Sequence, residues 1–396
     1  MSSTSDGGTA LVLSYSAIAT DPRVRREIDW LIQDGWTVDT LGLGPHPSEE
    51  VRDHYVLAEP RAWTRGRAGA LLTHFLLTPK GRFRAQLIDR VPEELRARVR
   101  AGHYDLVVFN EYEFVPWVAD PRDFTPAALA ARLHVDIHEF RNPEQRRNTF
   151  GAKLTASQYR WTRRHIGHPA FTSRTAVNAP IGQLYADEFG VVPPTPVRNA
   201  PPYVELAPSP VDPREIKLLF HGLPSWTRGF EEILAALREL PDHFSMTFML
   251  MPNPVIHEKL RNEIATHPAK DRLHIVPPAP MREIPQHINE YDLEIIFYKP
   301  VETNLLYAQP NKFFEAAQGR LGVIVGETPT MAPVVREYGH GAVVPEFTAE
   351  SLRDTLAALT ARDVVQMKAA SEAVAASQNA ATEGAAFLTA IREGRR

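Results

Sequence analysis

The stretch YAQPNKFFEAAQGRLGVIVGE, Tyr307 to Glu327, sets Lys312 and Glu315 three residues apart behind Pro310. Proline suits the opening of a helix and Gly319 its end, so the two charges share one face of a short helix that feeds the apolar run Leu321 to Val325. The lysine comes first, nearest the positive end of the helix dipole, which is the less favourable order for a helical ion pair. An arriving phosphate removes that conflict, because the ammonium and the open backbone N–H groups of the first turn can hold it together. One turn further on, a carboxylate can accept hydrogen bonds from two vicinal hydroxyls, as a ribose presents. The pair therefore suits a nucleoside diphosphate. A plain surface ion pair, of little energetic value, is the alternative.

Other residues invite chemistry of their own. His134, Asp136 and His138 alternate in RLHVDIHEF and so share one face of a strand, a spacing that serves a metal triad or, at a strand's carboxyl end, hydrogen bonds to substrate or backbone. Arg23, Arg25 and Arg26 follow the first apolar run, and Arg23, in the first helical turn, is placed to fork onto a phosphate or an acceptor anion. Gly42-Leu43-Gly44 hints at a dinucleotide loop, but Pro45 and Pro47 stand where the helix would begin. No GxSxG, Walker A or HExxH pattern occurs, which removes the commonest hydrolase and NTPase readings.

The elements that must position these residues follow an α/β pattern. At 396 residues the chain suits two domains, and its 43% hydrophobic and 23% charged content excludes disordered and fibrous classes. With no cysteine there is no disulfide framework, thiol nucleophile or zinc–thiolate site, and a cytoplasmic location is the default expectation. TALVLSY reads as the first strand; Asp21 caps a helix opened by Pro22 and stopped by Gly35; WTVDTLGL, DLVVF, RLHVDI and AFTS (Ala170 to Ser173) are further strands. The proline-rich segment Val191 to Pro213 can hold neither a helix nor a central strand and reads as an interdomain linker. Beyond it the pattern restarts with IKLLFHG, MTFMLMP, LHIV, LEIIFY and LGVIV, and from Ala349 the chain is alanine-rich and helical. Two Rossmann-like doubly wound domains are expected, 1–200 and 201–375, with 376–396 as a C-terminal helix packing back on the first. A ligand would lie where the carboxyl ends of both sheets face it.

The same order of motifs resembles the GT-B glycosyltransferases of the large retaining family 4. The helix and strand Pro310, Lys312, Glu315, Ala316, Ala317, Gly319, Gly322, Val323 is similar to that family's donor-nucleotide motif. SYSAIATDPRVRREIDWLIQDGWTVDTLG, YDLVVFNEYEFVP, RLHVDIHEF, PVRNAPP and LLFHGLPSWTRGFEEIL match further segments in sequence order, across residues 10 to 345. The resemblance implies transfer of a hexose-type sugar from a nucleoside-diphosphate sugar to a hydroxyl acceptor in cell-surface glycan, polysaccharide or glycolipid synthesis, with retention of configuration. It implies that Lys312 and Arg228 stabilise the diphosphate, Glu315 fixes the ribose, and Asn311, Tyr307 and Gly222 line the same donor site. His138 would meet the transferring sugar, and Arg23, Asn110, Glu111, Asp136 and Glu139 the acceptor side. No metal or cofactor beyond the donor is expected, since cationic side chains and helix N-termini can neutralise the phosphates.

Two positions depart from the family pattern: Tyr307 replaces a common glutamate and Leu223 a common phosphate-binding arginine. They keep open a nucleotide-sugar-binding protein without catalysis, and a nucleotide-sugar 2-epimerase shares the same expected fold. Residues 61–100 carry ten arginines and lysines against Asp89, Glu93 and Glu94, interleaved with Trp63, Leu71, Leu72, Phe75, Leu76 and Leu77. Such a segment is either a solvated basic face or a dock for an anionic membrane surface, which would place the protein at the inner face of the plasma membrane. No nucleic-acid module appears, and the net charge of −4 gives no reason to expect a nucleic-acid partner.

Overall fold

A computed structural model describes residues 7–61, 63, 66–140 and 150–394. Ala62, Thr64 and Arg65 of the basic segment lie outside the described residues. The chain divides into two compact units, Met1–Arg198 with Gly384–Arg396, and Asn199–Glu383.

The first unit holds seven parallel strands: β1 (Thr9–Ala17), β2 (Thr37–Leu43), β3 (Asp53–Val56), β4 (Leu106–Asn110), β5 (Arg132–Ile137), β6 (Ser173–Ala176) and β7 (Thr195–Pro196), in the spatial order 3-2-1-4-5-6-7. The second holds six, also parallel: β8 (Ile216–Gly222), β9 (Phe244–Leu250), β10 (Leu273–Val276), β11 (Leu293–Ile296), β12 (Gly322–Gly326) and β13 (Gly341–Val344), in the order 10-9-8-11-12-13. Central strands such as β4 and β9 are buried along their whole length, as expected of parallel sheets covered by helices on both faces. In each sheet the order reverses once, between β1 and β4 and between β8 and β11. Ligands of doubly wound sheets bind beyond the carboxyl ends of the strands at such a reversal.

The first helix, Pro22–Gln33, begins as its sequence predicts: the Asp21 side chain accepts hydrogen bonds from the Arg23 and Val24 amides. The strand expected over Ala170–Ser173 instead starts at Ser173, because the residues before it form the approach from a 3-10 turn ending at Gly167. Strands β3 and β13 are four residues long, mostly half-buried, and open on Asp53-His54 and Gly341-Ala342, so they give no run of large apolar residues and the sequence reading omits them. In the segment 191–213 the one two-residue strand, β7, lies at a sheet edge, where proline is tolerated. The last helix, Ala380–Glu393, passes from one unit to the other at Gly384. Phe387 then packs on Trp30 and His134, and a side chain at Gly384 would meet the Trp30 ring at 2.7 Å.

Charge counting misleads over residues 61–100. Arg84, Arg96 and Arg100 are tied to Asp120 or Asp123, Arg98 to Asp53 and Glu94, and Arg90 to the Ala58 carbonyl, so half of the basic run is consumed inside the unit. The apolar partners are what emerge: Phe75 and Leu76, on the helix Gly66–Leu76, are 73% and 69% exposed, with Trp63, Leu71 and Leu72 also exposed. Among the described residues no helix is long and apolar enough to cross a membrane.

Candidate functional site

In the second unit the helix Asn311–Gln318 starts behind Pro310 with no side-chain cap; the Phe313 amide turns back onto the Pro310 carbonyl, so the N–H groups left for a ligand in the first turn are those of Asn311 and Lys312. Lys312 is not on a solvated surface: it is 4% exposed, its ammonium lies 3.3 Å from the Phe220 ring centroid and 3.4 Å from Glu294 Oε1, and it makes no hydrogen bond. Burial pulls this lysine down to about 8, with Glu294 opposing the shift. The ammonium is a buried donor with three N–H groups to satisfy.

Glu315 does not pair with Lys312 directly. Its Oε2 stands 2.9 Å from His221 Nε2, while His221 Nδ1 stands 2.9 Å from Glu294 Oε2 and the His221 amide donates to Glu294 Oε1. Burial alone would lower the imidazole, and the two carboxylates more than offset it, raising it to about 9. Lys312, Glu294, His221 and Glu315 thus form one chain of alternating charge at the β8–β11 reversal. The sequence reading omits His221 and Glu294. A signal for each exists: Glu294 is a lone acid inside the apolar run LEIIFY, and His221 is the last side chain before the glycine that ends IKLLFHG. That glycine, Gly222, has φ +104°, a conformation costly for other residues, and lies beside the Lys312 stem.

The remaining donor-side candidates surround this chain less closely. Arg228 is half-buried, donates to the Leu223 carbonyl and sits 5.2 Å from the Tyr298 ring centroid. Asn311 and Tyr307 are half-buried at the start of the helix and at the end of the preceding turn, and Leu223 is exposed.

In the first unit β4 and β5 end side by side and bring Asn110, Glu111, Asp136 and His138 together. His138 Nε2 is 2.8 Å from Asp136 and 3.2 Å from Asn110 Oδ1, while its amide donates to Glu111 Oε1 at 3.1 Å. Glu111 has φ +60°, a strained state for a glutamate that the Asp136 carbonyl helps to hold by accepting the Glu111 amide. Burial lowers His138, but Glu111 and Asp136 outweigh it, so the imidazole is held toward its charged form. The Asn110 amide nitrogen is buried without a hydrogen-bond partner. Glu139 is exposed, and its carbonyl accepts from Tyr185.

Arg23 is engaged within the protein. Both Nε and Nη2 donate to Asp136 at 2.6 Å, and Nη1 donates to the Val197 carbonyl. It therefore positions Asp136, and an anion would have to compete with that fork. Beside it Glu27, also absent from the sequence reading, is fully buried with neither oxygen hydrogen-bonded; burial, then the Asp136 charge, push its carboxyl well above the usual range. Glu27, Asp136 and His138 present ligand atoms within 4.8 Å of one another, a spacing a cation can use. The guanidinium of Arg23 already neutralises that position. His134 lies one step away on β5 with its ring nitrogens against Ser173 and Thr175, which makes it a structural residue.

The chain matches no protein-family model and no curated protein by sequence. Its structure is similar to a glycosyltransferase from Rickettsia africae (14% identity, TM-score 0.65, 98% of each chain) and to sucrose-phosphate synthase of Thermosynechococcus elongatus (13%, 0.66, 98% of each). It is also similar to Anabaena HepE solved with UDP and glucose (12%, TM-score 0.64, 97% of this chain and 99% of that one). The fold is GT-B. In this GT-B chain, as in GT-B proteins generally, two parallel sheets are each flanked by helices.

Proposed function

We propose that the protein is a glycosyltransferase that moves a sugar from a nucleoside-diphosphate sugar to a hydroxyl acceptor. The observation that carries this reading is the Lys312 ammonium, buried without a hydrogen-bond partner at the open N-terminus of the helix that also bears Glu315. A diphosphate oxygen satisfies both groups at once. The reaction breaks the bond between the sugar's anomeric carbon and the phosphate oxygen and forms one to the acceptor oxygen, whose proton leaves. Lys312 and Arg228 take up the charge that develops on the departing diphosphate, the principal electrostatic task of such a transfer. Glu315 accepts the ribose hydroxyls. On the first unit, His138 approaches the sugar and Asn110, Glu111 and Glu139 the acceptor. A hexose and retention of its configuration complete the reading, and synthesis of a cell-surface glycan or glycolipid fits it.

Thermal unfolding with UDP, GDP, ADP and their sugar forms tests the donor site, since a ligand that binds the folded state raises apparent stability by mass action. UDP is the first candidate, because the HepE complexes hold it. One nucleotide should raise the melting temperature selectively. No shift with any of them at millimolar concentration would remove the reading.

The exposed apolar residues of the helix Gly66–Leu76 favour an acceptor at a membrane surface. In a sedimentation assay, vesicles containing anionic phospholipid should carry the protein down, and Phe75→Ser with Leu76→Ser should reduce the bound fraction at least about threefold, in line with the loss of two buried apolar side chains. Equal sedimentation of both proteins removes the membrane reading.

A further inference from the structure

The four-residue chain in the second unit contains two members that no ligand needs to touch. His221 lies between two carboxylates, with Glu294 on Nδ1 and Glu315 on Nε2, both at 2.9 Å. A carboxylate only accepts hydrogen bonds, so satisfying both contacts requires both ring nitrogens to carry protons. Glu294, fully buried, is held in turn by the His221 amide and by the Lys312 ammonium, so it cannot rotate away. The ring is fixed at one side, and its other side is aimed at one oxygen of Glu315.

Resting on the donor-binding reading above, we infer that His221 and Glu294 are positioning residues that make the site selective for a ribose over a deoxyribose. A glutamate side chain on a helix surface has three rotatable bonds, and holding it in one pose for a vicinal diol costs conformational entropy at every binding event. The bond from His221 to Oε2 imposes that pose before the ligand arrives and leaves Oε1, and further lone pairs of Oε2, for the two hydroxyls. The same chain connects ribose and phosphate recognition, because Glu294 touches both His221 and Lys312. Loss of the ring would leave the phosphate contacts in place and release Glu315. The signature of positioning is therefore a change in the preference between two nucleotides that differ by one hydroxyl.

The test is calorimetric titration with UDP, GDP, ADP and their 2′-deoxy counterparts. Wild type is expected to bind one ribonucleotide at least about tenfold more tightly than its deoxy form, in keeping with a lost hydrogen bond to a charged group. In His221→Phe that ratio should fall to within about twofold through loss of ribonucleotide affinity alone, with deoxynucleotide affinity unchanged. Glu294→Gln, which removes the charge that holds the ring, should also narrow the ratio, although affinity for both nucleotides shifts because Lys312 loses its neighbour, and it serves in place of a phenylalanine variant that fails to fold. A folded variant that keeps the wild-type ratio overturns the inference. Equal binding of ribo- and deoxynucleotide by wild type overturns it while leaving the nucleotide site standing, and no binding by wild type overturns both.

Discussion

Lys312→Ala lowers kcat/KM for the nucleotide-sugar donor by at least about tenfold, the loss expected when a charged contact to a leaving group, worth more than roughly 1.4 kcal/mol, is removed. The effect is expected mainly in kcat, because the diphosphate carries more charge on this side once the glycosidic bond has begun to break. A fall in KM performance alone would mean that the ammonium binds ground state and transition state equally. The pH profile gives a second readout. Burial against Phe220, countered by Glu294, holds the lysine at about 8, so it is charged below that pH and loses its proton above it. Wild-type kcat/KM should therefore decline above about pH 8, whereas Lys312→Ala should lack that decline. Kinetics unchanged in both size and pH dependence would take Lys312 out of the mechanism.

How much of this was legible beforehand depends on the length scale of each signal. The parallel strands β1, β2, β4, β5, β8, β9, β11 and β12 announce themselves as apolar runs because both faces of the sheet are covered. Length alone does not hide a strand, since the four-residue edge strand β10 is legible in LHIV; β3 opens on Asp53-His54 and β13 on Gly341-Ala342, so neither offers a run of large apolar residues. Lys312 and Glu315 stood out because helix spacing and helix polarity are local. Their relation to each other did not: it runs through Glu294 and His221, which are 73 residues apart in sequence and meet across neighbouring strands. The basic stretch 61–100 illustrates the converse. Its arginines were countable, but three of the acids that neutralise them, Asp53, Asp120 and Asp123, lie outside the stretch.

Arg23→Met destabilises the first unit by about 3–5 kcal/mol, the cost of leaving a buried carboxylate without its counter-charge. The geometry explains the size. Asp136 is fully buried and takes two 2.6 Å hydrogen bonds from the guanidinium, with Arg23 itself 5% exposed, so water cannot replace the lost partner. Burial pushes the Asp136 carboxyl up, while Arg23 and then His138 bring it well below the usual range; methionine removes the larger of those two opposing effects. Glu27, in the same pocket, is itself an acid and offers no positive charge in compensation. Urea unfolding followed by tryptophan fluorescence is the appropriate measurement, because five of the six tryptophans, Trp30, Trp36, Trp63, Trp117 and Trp161, belong to this unit. A double variant, Arg23→Met with Asp136→Leu, should recover part of the loss, since a well-packed apolar pair can replace a buried ion pair. Recovery should stay incomplete because His138 and Thr175 also lose their bonds to Asp136. A single variant that costs less than about 1 kcal/mol would show that water or His138 neutralises Asp136, and Arg23 would then be available to bind an anion.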